Sequence, residues 1–121
     1  MDVDQIVTDF CKAWGRADLD AIMNAFAEDA VYHNIPMAPC EGKPAIEAFI
    51  KGFLSENPDG IDFEIHHQVS AGGIVFNERT DTLTMQGNKV AAPVCGVFEI
   101  GADGKITAWR DYFDMGAFQP S

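Results

Sequence analysis

The 121-residue chain has a length typical of one domain, and its 47% of hydrophobic residues are enough for a core and too many for a disordered protein. Its net charge of −11 argues against a nucleic-acid partner or an anionic membrane surface, because like charges repel. No apolar run approaches the roughly 18 residues of a membrane span and the acidic start is unlike a secretory signal, so we predict a cytoplasmic protein with a single domain over residues 1–121.

The first half of the chain shows the apolar spacing of three helices. Each begins at a residue that favours a helix start, namely Asp2, Asp18 and Pro44. Gly15 and the Asn57-Pro58 pair end the first and third helices, and the spacing places Phe26 on the apolar face of the second. Between the second and third helices, residues 30–34 are predicted to form a short strand.

The second half of the chain reads as antiparallel strands. We predict four of them, over residues 61–69, 74–84, 90–100 and 106–115. The hairpin signal Ala102-Asp103-Gly104 separates the last two. A run of helices followed by a run of strands indicates an α+β fold. We expect a strongly curved, mixed but mainly antiparallel sheet that wraps around the three N-terminal helices and encloses a deep pocket.

Two of these strands carry charged residues among apolar neighbours. Because side chains alternate along a strand, Arg79 and Asp81 lie on one face, about 6.6–6.8 Å apart. By the same rule, Asp111 shares a face with Trp109 and Phe113. A carboxylate in that setting is either paired or catalytic, since an isolated buried charge is too costly. If the strands fold back on each other, these charged side chains face one concave space.

An Asp–Arg–Asp group of this kind has two interpretations. It can be a purely structural ion network. It can also be a functional site, and the short strand favours that interpretation. Tyr32 and Asn34 share one face of this strand, and both are neutral groups that can orient a water molecule through hydrogen bonds.

Three segments of the chain resemble the limonene-1,2-epoxide hydrolase family. They are Tyr32-x-Asn34-x-Pro36, Glu78-Arg79-x-Asp81-x-Leu83 and Trp109-Arg110-Asp111-Tyr112-Phe113-Asp114. The similarity extends over nearly the whole chain, including residues 26–29 and 96–98. The resemblance implies the cone-shaped α+β fold that this family shares with ketosteroid isomerase, scytalone dehydratase and nuclear transport factor 2. It also implies a homodimer.

The resemblance further implies an enzyme that adds water to a cyclic or terpene-like epoxide and forms a vicinal diol without a cofactor. In that case Asp111 is the general base, and Tyr32 and Asn34 help to hold the water. Asp81 is the general acid, and Arg79 bridges the two carboxylates. With an acid and a base on opposite sides of the epoxide ring, water can open the ring in a single step without a covalent intermediate. The chain has shorter ends than the limonene enzyme, and because such ends can cover the pocket, the resemblance does not fix the substrate preference.

The remaining candidate residues concern substrate and metal. The side chains that we expect to line the pocket are Phe53, Leu83, Phe113 and Phe118. We expect no metal, because the adjacent His66 and His67 point to opposite faces of a strand. The three cysteines also lack ligand spacing, so we expect reduced thiols.

Two other functions stay open. An isomerase or cyclase of the same fold, such as a ketosteroid isomerase, would need a carboxylate near Asn34, and an amide cannot take up a proton. A binding or dimerisation module without catalytic activity is also compatible with the fold. Such a module gives no reason for three charged side chains on inward faces.

Overall fold

The structure is a computed structural model that describes residues 1–118. In these residues the helices are α1 (Val3–Gly15), α2 (Leu19–Asn24) and α3 (Lys43–Glu56), and a 3-10 turn covers Met115–Phe118. Two predicted N-caps are confirmed, since Asp2 accepts a hydrogen bond from the Gln5 amide and Asp18 from the Ala21 amide, both at 3.1 Å. None of the helices in this part of the chain is long and apolar enough to cross a membrane.

The strands are β1 (Phe26–Asn34), β2 (Cys40–Glu41), β3 (Asp62–Ala71), β4 (Ile74–Met85), β5 (Asn88–Ile100) and β6 (Ile106–Tyr112). They form one open sheet in the order β2-β1-β6-β5-β4-β3. The pairing of β1 with β6 is parallel and every other pairing is antiparallel. The predicted α+β fold with a mixed, mainly antiparallel sheet is therefore confirmed.

Some predicted boundaries are wrong. Phe26 does not lie on α2, because this helix ends at Asn24 and Phe26 begins β1, where it pairs with Ile106. β1 is consequently nine residues long, and β2 is too short to leave a sequence signal. The last strand ends at Tyr112 and not at residue 115, since Asp114 accepts a hydrogen bond from the Gly116 amide and starts the 3-10 turn.

One row of directly paired residues crosses five strands and positions the charged groups. From β3 through β4, β5 and β6 to β1, the residues in this row are Gln68, Asn77, Gly96, Asp111 and Asn34. Arg79 and Asp81 follow on the same face of β4, because side chains two residues apart share a face. Residues far apart in the sequence thus meet on the inner face of the sheet.

The core lies between this inner face and the helices, and Trp109 is at its centre. Its side chain is completely buried and stacks on Tyr32 with a ring separation of 4.2 Å and on Phe98 with a separation of 5.4 Å. Phe10 of α1 meets it edge-on at 5.0 Å. These aromatic contacts fix the strand that carries Asp111 against helix α1.

Candidate active site

The guanidinium of Arg79 is the centre of the charged cluster. Nε and Nη2 donate to the two oxygens of Asp81 at 2.9 and 2.8 Å. Nη2 and Nη1 donate to the two oxygens of Asp111 at 2.9 and 3.3 Å. Nη1 also donates to Oδ1 of Asn77 at 2.9 Å, and the ring of Phe63 lies 4.6 Å from the guanidinium carbon. All five N–H donors of the arginine therefore have an acceptor.

Asp111 is held from a second side by an indole. Nε1 of Trp109 donates to its Oδ1 at 2.7 Å, and the stacked neighbours of Trp109 fix the plane of that ring. The Asp111 side chain is 5% exposed and that of Asp81 is 9% exposed. Both carboxylates are therefore rigidly positioned and almost removed from water.

Tyr32 and Asn34 lie on the strand next to Asp111. The hydroxyl of Tyr32 donates to Oδ1 of Asn34 at 3.4 Å, and both residues are buried. Burial and the charge of Asp111 raise the pKa of Tyr32 well above 10, so its hydroxyl stays neutral. Because Asn34 pairs with Asp111 across the parallel strands, these two neutral groups flank the carboxylate.

A pocket opens in front of the two carboxylates, with an empty volume of about 620 Å³ that includes its mouth. Its polar lining comes from Asp81, Asp111, Tyr32 and Asn34. The other lining side chains are apolar, and they include all four predicted substrate contacts, Phe53, Leu83, Phe113 and Phe118. The last two come from the segment after β6, where their rings meet edge-on at 5.0 Å. The completely buried Arg79 reaches this space only through its carboxylate partners.

Burial has the largest effect on the pKa of Asp81. Desolvation raises the pKa of Asp81 above the ordinary aspartate value, Arg79 opposes this shift, and Asp111 adds to it. Beneath the cluster, burial raises the pKa of Cys11 to about 12, so this thiol is neutral. A carboxyl group with raised proton affinity, next to a second carboxylate, is suited to exchange a proton with a bound molecule.

Three residues that help to build the site were not among the predicted site residues. Asn77 shares the inner face of β4 with Arg79 and accepts a hydrogen bond from it. Trp109 was treated as an apolar neighbour, although its N–H binds Asp111. Gly96 leaves the space that the guanidinium fills, since a Cβ there would overlap Nη1 of Arg79. Alternation along the strands could have indicated Asn77, whereas the other two contacts depend on pairing between strands.

The histidines and cysteines either lie away from this cluster or pack against it. Nε2 of His66 is 2.8 Å from Oγ1 of Thr80, and Nε2 of His67 is 3.9 Å from Oε1 of Glu78. A bulge between Ile65 and His67 places both histidines on the face of the sheet opposite to Arg79, so the prediction that they point to opposite faces is wrong. The three cysteines carry free thiols. Across residues 1–118, no three His, Cys, Asp or Glu side chains are grouped closely enough to hold a metal ion.

Known proteins resemble this chain in sequence and in fold. The family model of the limonene-1,2-epoxide hydrolase catalytic domain matches residues 2–119. Epoxide hydrolase EphG of Mycobacterium tuberculosis is 35% identical over 106 residues, which cover 88% of this chain and 69% of EphG. The structure of an M. tuberculosis LEH-like epoxide hydrolase has a TM-score of 0.81 and 33% identity over 95% of this chain and 84% of that chain.

A more distant structure shows the shared fold. SalBIII, an epoxide hydrolase/cyclase-like enzyme with a role in pyran ring formation in the polyether salinomycin, has a TM-score of 0.87 at 20% identity. The match covers 95% of this chain and 92% of SalBIII. The family match over nearly all residues and the identity to EphG lead to one conclusion. This chain belongs to the limonene-1,2-epoxide hydrolase family of epoxide hydrolases.

Proposed function

We propose that this protein adds water to a cyclic, terpene-like epoxide and releases a vicinal diol in one step, with no covalent intermediate. The main support is one arginine that binds two buried carboxylates, both of which line a pocket with otherwise mostly apolar walls. Apolar walls favour a hydrocarbon ring, while the paired carboxylates suit the two proton transfers of the reaction.

Asp111 is the proposed base. A water molecule between Asp111, Tyr32 and Asn34 would donate one proton to the carboxylate and the other to the hydroxyl oxygen of Tyr32, whose own proton goes to Asn34. It would accept one hydrogen bond from Nδ2 of Asn34, which leaves one lone pair for the attack. Its oxygen then attacks a ring carbon as the proton moves to Asp111. The hydrogen bonds from Trp109 and Arg79 hold the carboxylate in place during this step, so little reorganisation is needed.

Asp81 is the proposed acid. As the carbon–oxygen bond breaks, its electron pair stays on the epoxide oxygen, which takes the proton of Asp81. The raised pKa of Asp81, caused chiefly by burial, favours the protonated form that this role requires. After the step Asp111 holds a proton and Asp81 does not, so one proton must return to Asp81 before the next turnover. The overall balance is epoxide plus water to diol.

The decisive test is hydrolysis of limonene-1,2-epoxide in water enriched in oxygen-18. We expect a diol with one labelled oxygen, formed by the native protein and not by the Asp111→Asn variant. EDTA should leave the rate unchanged, because no metal takes part in the proposed step. If the native protein forms no diol from this substrate or from a panel of cyclic epoxides, the proposal is wrong.

The second candidate function is the closure of a cyclic ether within the substrate. Its product distinguishes it from hydrolysis. The same acid and base could open an epoxide with a hydroxyl of the substrate in place of water, and SalBIII shares the fold. A hydroxy-epoxide incubated in oxygen-18 water would then give an unlabelled cyclic ether. Labelled diol from the same compound would support hydrolysis.

We also propose a homodimer formed through the outer face of the sheet. Exposed apolar side chains are grouped there, namely Ile74, Val69, Phe76 and Tyr112, with exposures of 38, 66, 44 and 46%. Val69 and Phe76 are direct cross-strand partners, so the patch is continuous across β3 and β4. A second copy could cover it through a two-fold axis. Light scattering should give twice the monomer mass, and Phe76→Lys should give the monomer; a monomeric native protein would contradict the proposal.

The cytoplasmic location also remains a proposal. All three cysteines carry free thiols, and one of them, Cys95, is exposed. Exposed free thiols are typical of reducing compartments.

A further inference from the structure

We infer that Asn77 is a positioning residue, which holds the guanidinium of Arg79 and, through it, both carboxylates in the arrangement that epoxide opening requires. This inference rests on the proposed function and adds a residue to it. Asn77 is 2% exposed and does not line the pocket, so it has no contact with the substrate. Its effect must act through Arg79.

A chain of hydrogen bonds ties this asparagine to the first helix. Nε2 of Gln68 donates to the backbone carbonyl of Asp4 at 3.1 Å and to Oγ1 of Thr8 at 3.2 Å. Nδ2 of Asn77 donates to Oε1 of Gln68 at 3.2 Å. Oδ1 of Asn77 is then left to accept from Nη1 of Arg79 at 2.9 Å.

The carbonyl of Asp4 determines the direction of the whole chain. A backbone carbonyl only accepts, so the amide nitrogen of Gln68 must face helix α1 and its oxygen must face Asn77. The same argument places the nitrogen of Asn77 towards Gln68 and its oxygen towards Arg79. The first turns of α1 thereby set the orientation of an amide that lies under the charged cluster.

A neutral acceptor is needed at this position. Arg79 already neutralises part of the charge of Asp81 and Asp111, and both carboxylates must exchange protons during the proposed reaction. An amide oxygen completes the hydrogen bonds of the arginine without a third negative charge. A carboxylate at position 77 would raise the proton affinity of the two aspartates, since like charges disfavour ionisation.

The neighbouring residue Gly96 makes this arrangement possible. It lies between Asn77 and Asp111 in the row that crosses the sheet. A Cβ at this position would overlap Nη1 of Arg79 and would lie 2.9 Å from Oδ1 of Asn77 and 3.0 Å from Oδ1 of Asp111. The absent side chain leaves room for the guanidinium between its partners.

The other titratable groups around the cluster come from three elements. They are Asp4 and Cys11 of α1, Tyr32 of β1 and Asp62 of β3. Burial raises the pKa of Cys11 to about 12 and that of Tyr32 well above its ordinary value, so neither group titrates near neutral pH. Within residues 1–118 neither Asp4 nor Asp62 forms a hydrogen bond with Arg79 or Asn77, so a shift produced by changing Asn77 is assigned to Asp81 and Asp111.

The test compares the pH dependence of kcat for diol formation in native protein and Asn77→Asp. This variant keeps the size and the acceptor for Arg79, loses the donor to Gln68 and adds a charge. We expect both limbs of the profile to move to higher pH by about one unit or more, which is roughly the effect of a close like charge. KM should change little, because residue 77 lies outside the pocket. Circular dichroism checks folding.

The matched control is a second buried asparagine, Asn57, whose hydrogen bonds go to groups outside the charged cluster. The Asn57 side chain donates to the carbonyls of Phe53 and Thr84 and accepts from the Thr84 amide, so it joins α3 to β4. Asn57→Asp should lower the melting temperature and leave the pH profile unchanged. If Asn77→Asp acted only by destabilising the fold, it would lower the melting temperature and leave the pH profile unchanged, as Asn57→Asp does.

A further variant covers the case in which Asn77→Asp does not fold. Gln68 is only half-buried, and Gln68→Leu frees the amide of Asn77 to turn, so kcat should fall about tenfold or more, as expected for a displaced group. Folded Asn77→Asp with the native kcat and pH profile would overturn the inference, and so would native kcat in Gln68→Leu. If the native protein forms no diol, the proposed function fails first and the inference fails with it.

Discussion

Two arginine–carboxylate clusters lie on opposite faces of the same sheet, one joining β4 to β6 and the other joining β5 to β6. On the inner face, Arg79 has a completely buried side chain, and its two aspartates are 9 and 5% exposed. On the outer face, Arg110 donates to Glu99 at 2.6 Å, and these side chains are 31 and 43% exposed. Arg110 directly precedes Asp111 in β6, so one step along the strand separates the two environments.

The comparison shows that environment, and not residue type, distinguishes the two clusters. Water screens the outer pair, and such surface pairs typically contribute about 0–1 kcal/mol to stability. Removing one partner of a buried pair typically costs about 3–5 kcal/mol, because the other charge is left without compensation. Burial also shifts protonation, as the raised pKa of Asp81 shows. Only the inner cluster combines this shift with access to a pocket.

The largest expected effect is the loss of a proton-transfer group. Asp111→Asn and Asp81→Asn should each lower kcat by about 10²–10⁴, because each removes a general base or a general acid. The double variant should be little worse than either single variant, since the two groups act in one step. The measurement is diol formation, with circular dichroism to confirm folding. Folded Asp111→Asn with more than about a tenth of native activity would exclude Asp111 as the base.

Replacing the planar guanidinium of Arg79 with an ammonium group should have the next largest effect on kcat. Arg79→Lys keeps the charge but loses the planar fork that holds two carboxylates, so we expect kcat to fall on the order of 10²-fold through misplacement of the acid and base. Arg110→Lys is the matched change on the outer face and should leave kcat unchanged. Equal effects of the two variants would contradict the distinction between the clusters.

The pH dependence of the native enzyme depends on Asp81. Its pKa is raised chiefly by burial, and the acid must carry a proton when the ring opens. We therefore expect kcat to fall about tenfold for each pH unit above this raised pKa, as the protonated fraction decreases. A profile of kcat against pH checks this sign. A rate that keeps rising through the alkaline range would argue against Asp81 as the acid.

Space around the guanidinium can be tested with glycine variants. Gly96→Ala inserts a Cβ against Arg79, so it should destabilise the protein by about 1–3 kcal/mol and lower kcat. Gly52→Ala is the matched control, because a Cβ at this site in α3 meets nothing within 4 Å. Removing a helical glycine should stabilise the protein by about 0.5–1 kcal/mol. Thermal unfolding and kcat of both variants provide the measurement, and native values for Gly96→Ala would show that the cluster does not need this space.

The smallest effect is expected on the outer face. Glu99→Gln removes the partner of Arg110 in a solvent-exposed setting, so the free energy of unfolding should change by no more than about 1 kcal/mol. The rate of diol formation should stay at the native value. A large loss of activity would mean that the two faces of the sheet are coupled.

Local patterns alone identified the elements and most of the candidate site. Period-two alternation placed Arg79 and Asp81 on one face of β4, and the N-cap residues Asp2 and Asp18 marked two helix starts correctly. Such signals are readable because they depend on neighbours only a few residues apart. The two-residue strand β2 and the extension of β1 back to Phe26 were missed, because both form only when a partner strand is present.

The sequence by itself determined the α+β class, the inward faces and the residue types that are able to perform acid–base chemistry. Tertiary structure alone decided the parallel pairing of β1 with β6, which sets Asn34 beside Asp111. It also decided the hydrogen bond between Gln68 and Asp4, two residues that are 64 positions apart in the sequence. The close approach of Gly96 to the guanidinium of Arg79 was decided in the same way. These features depend on which strands become neighbours and in what register, and no local pattern specifies that choice.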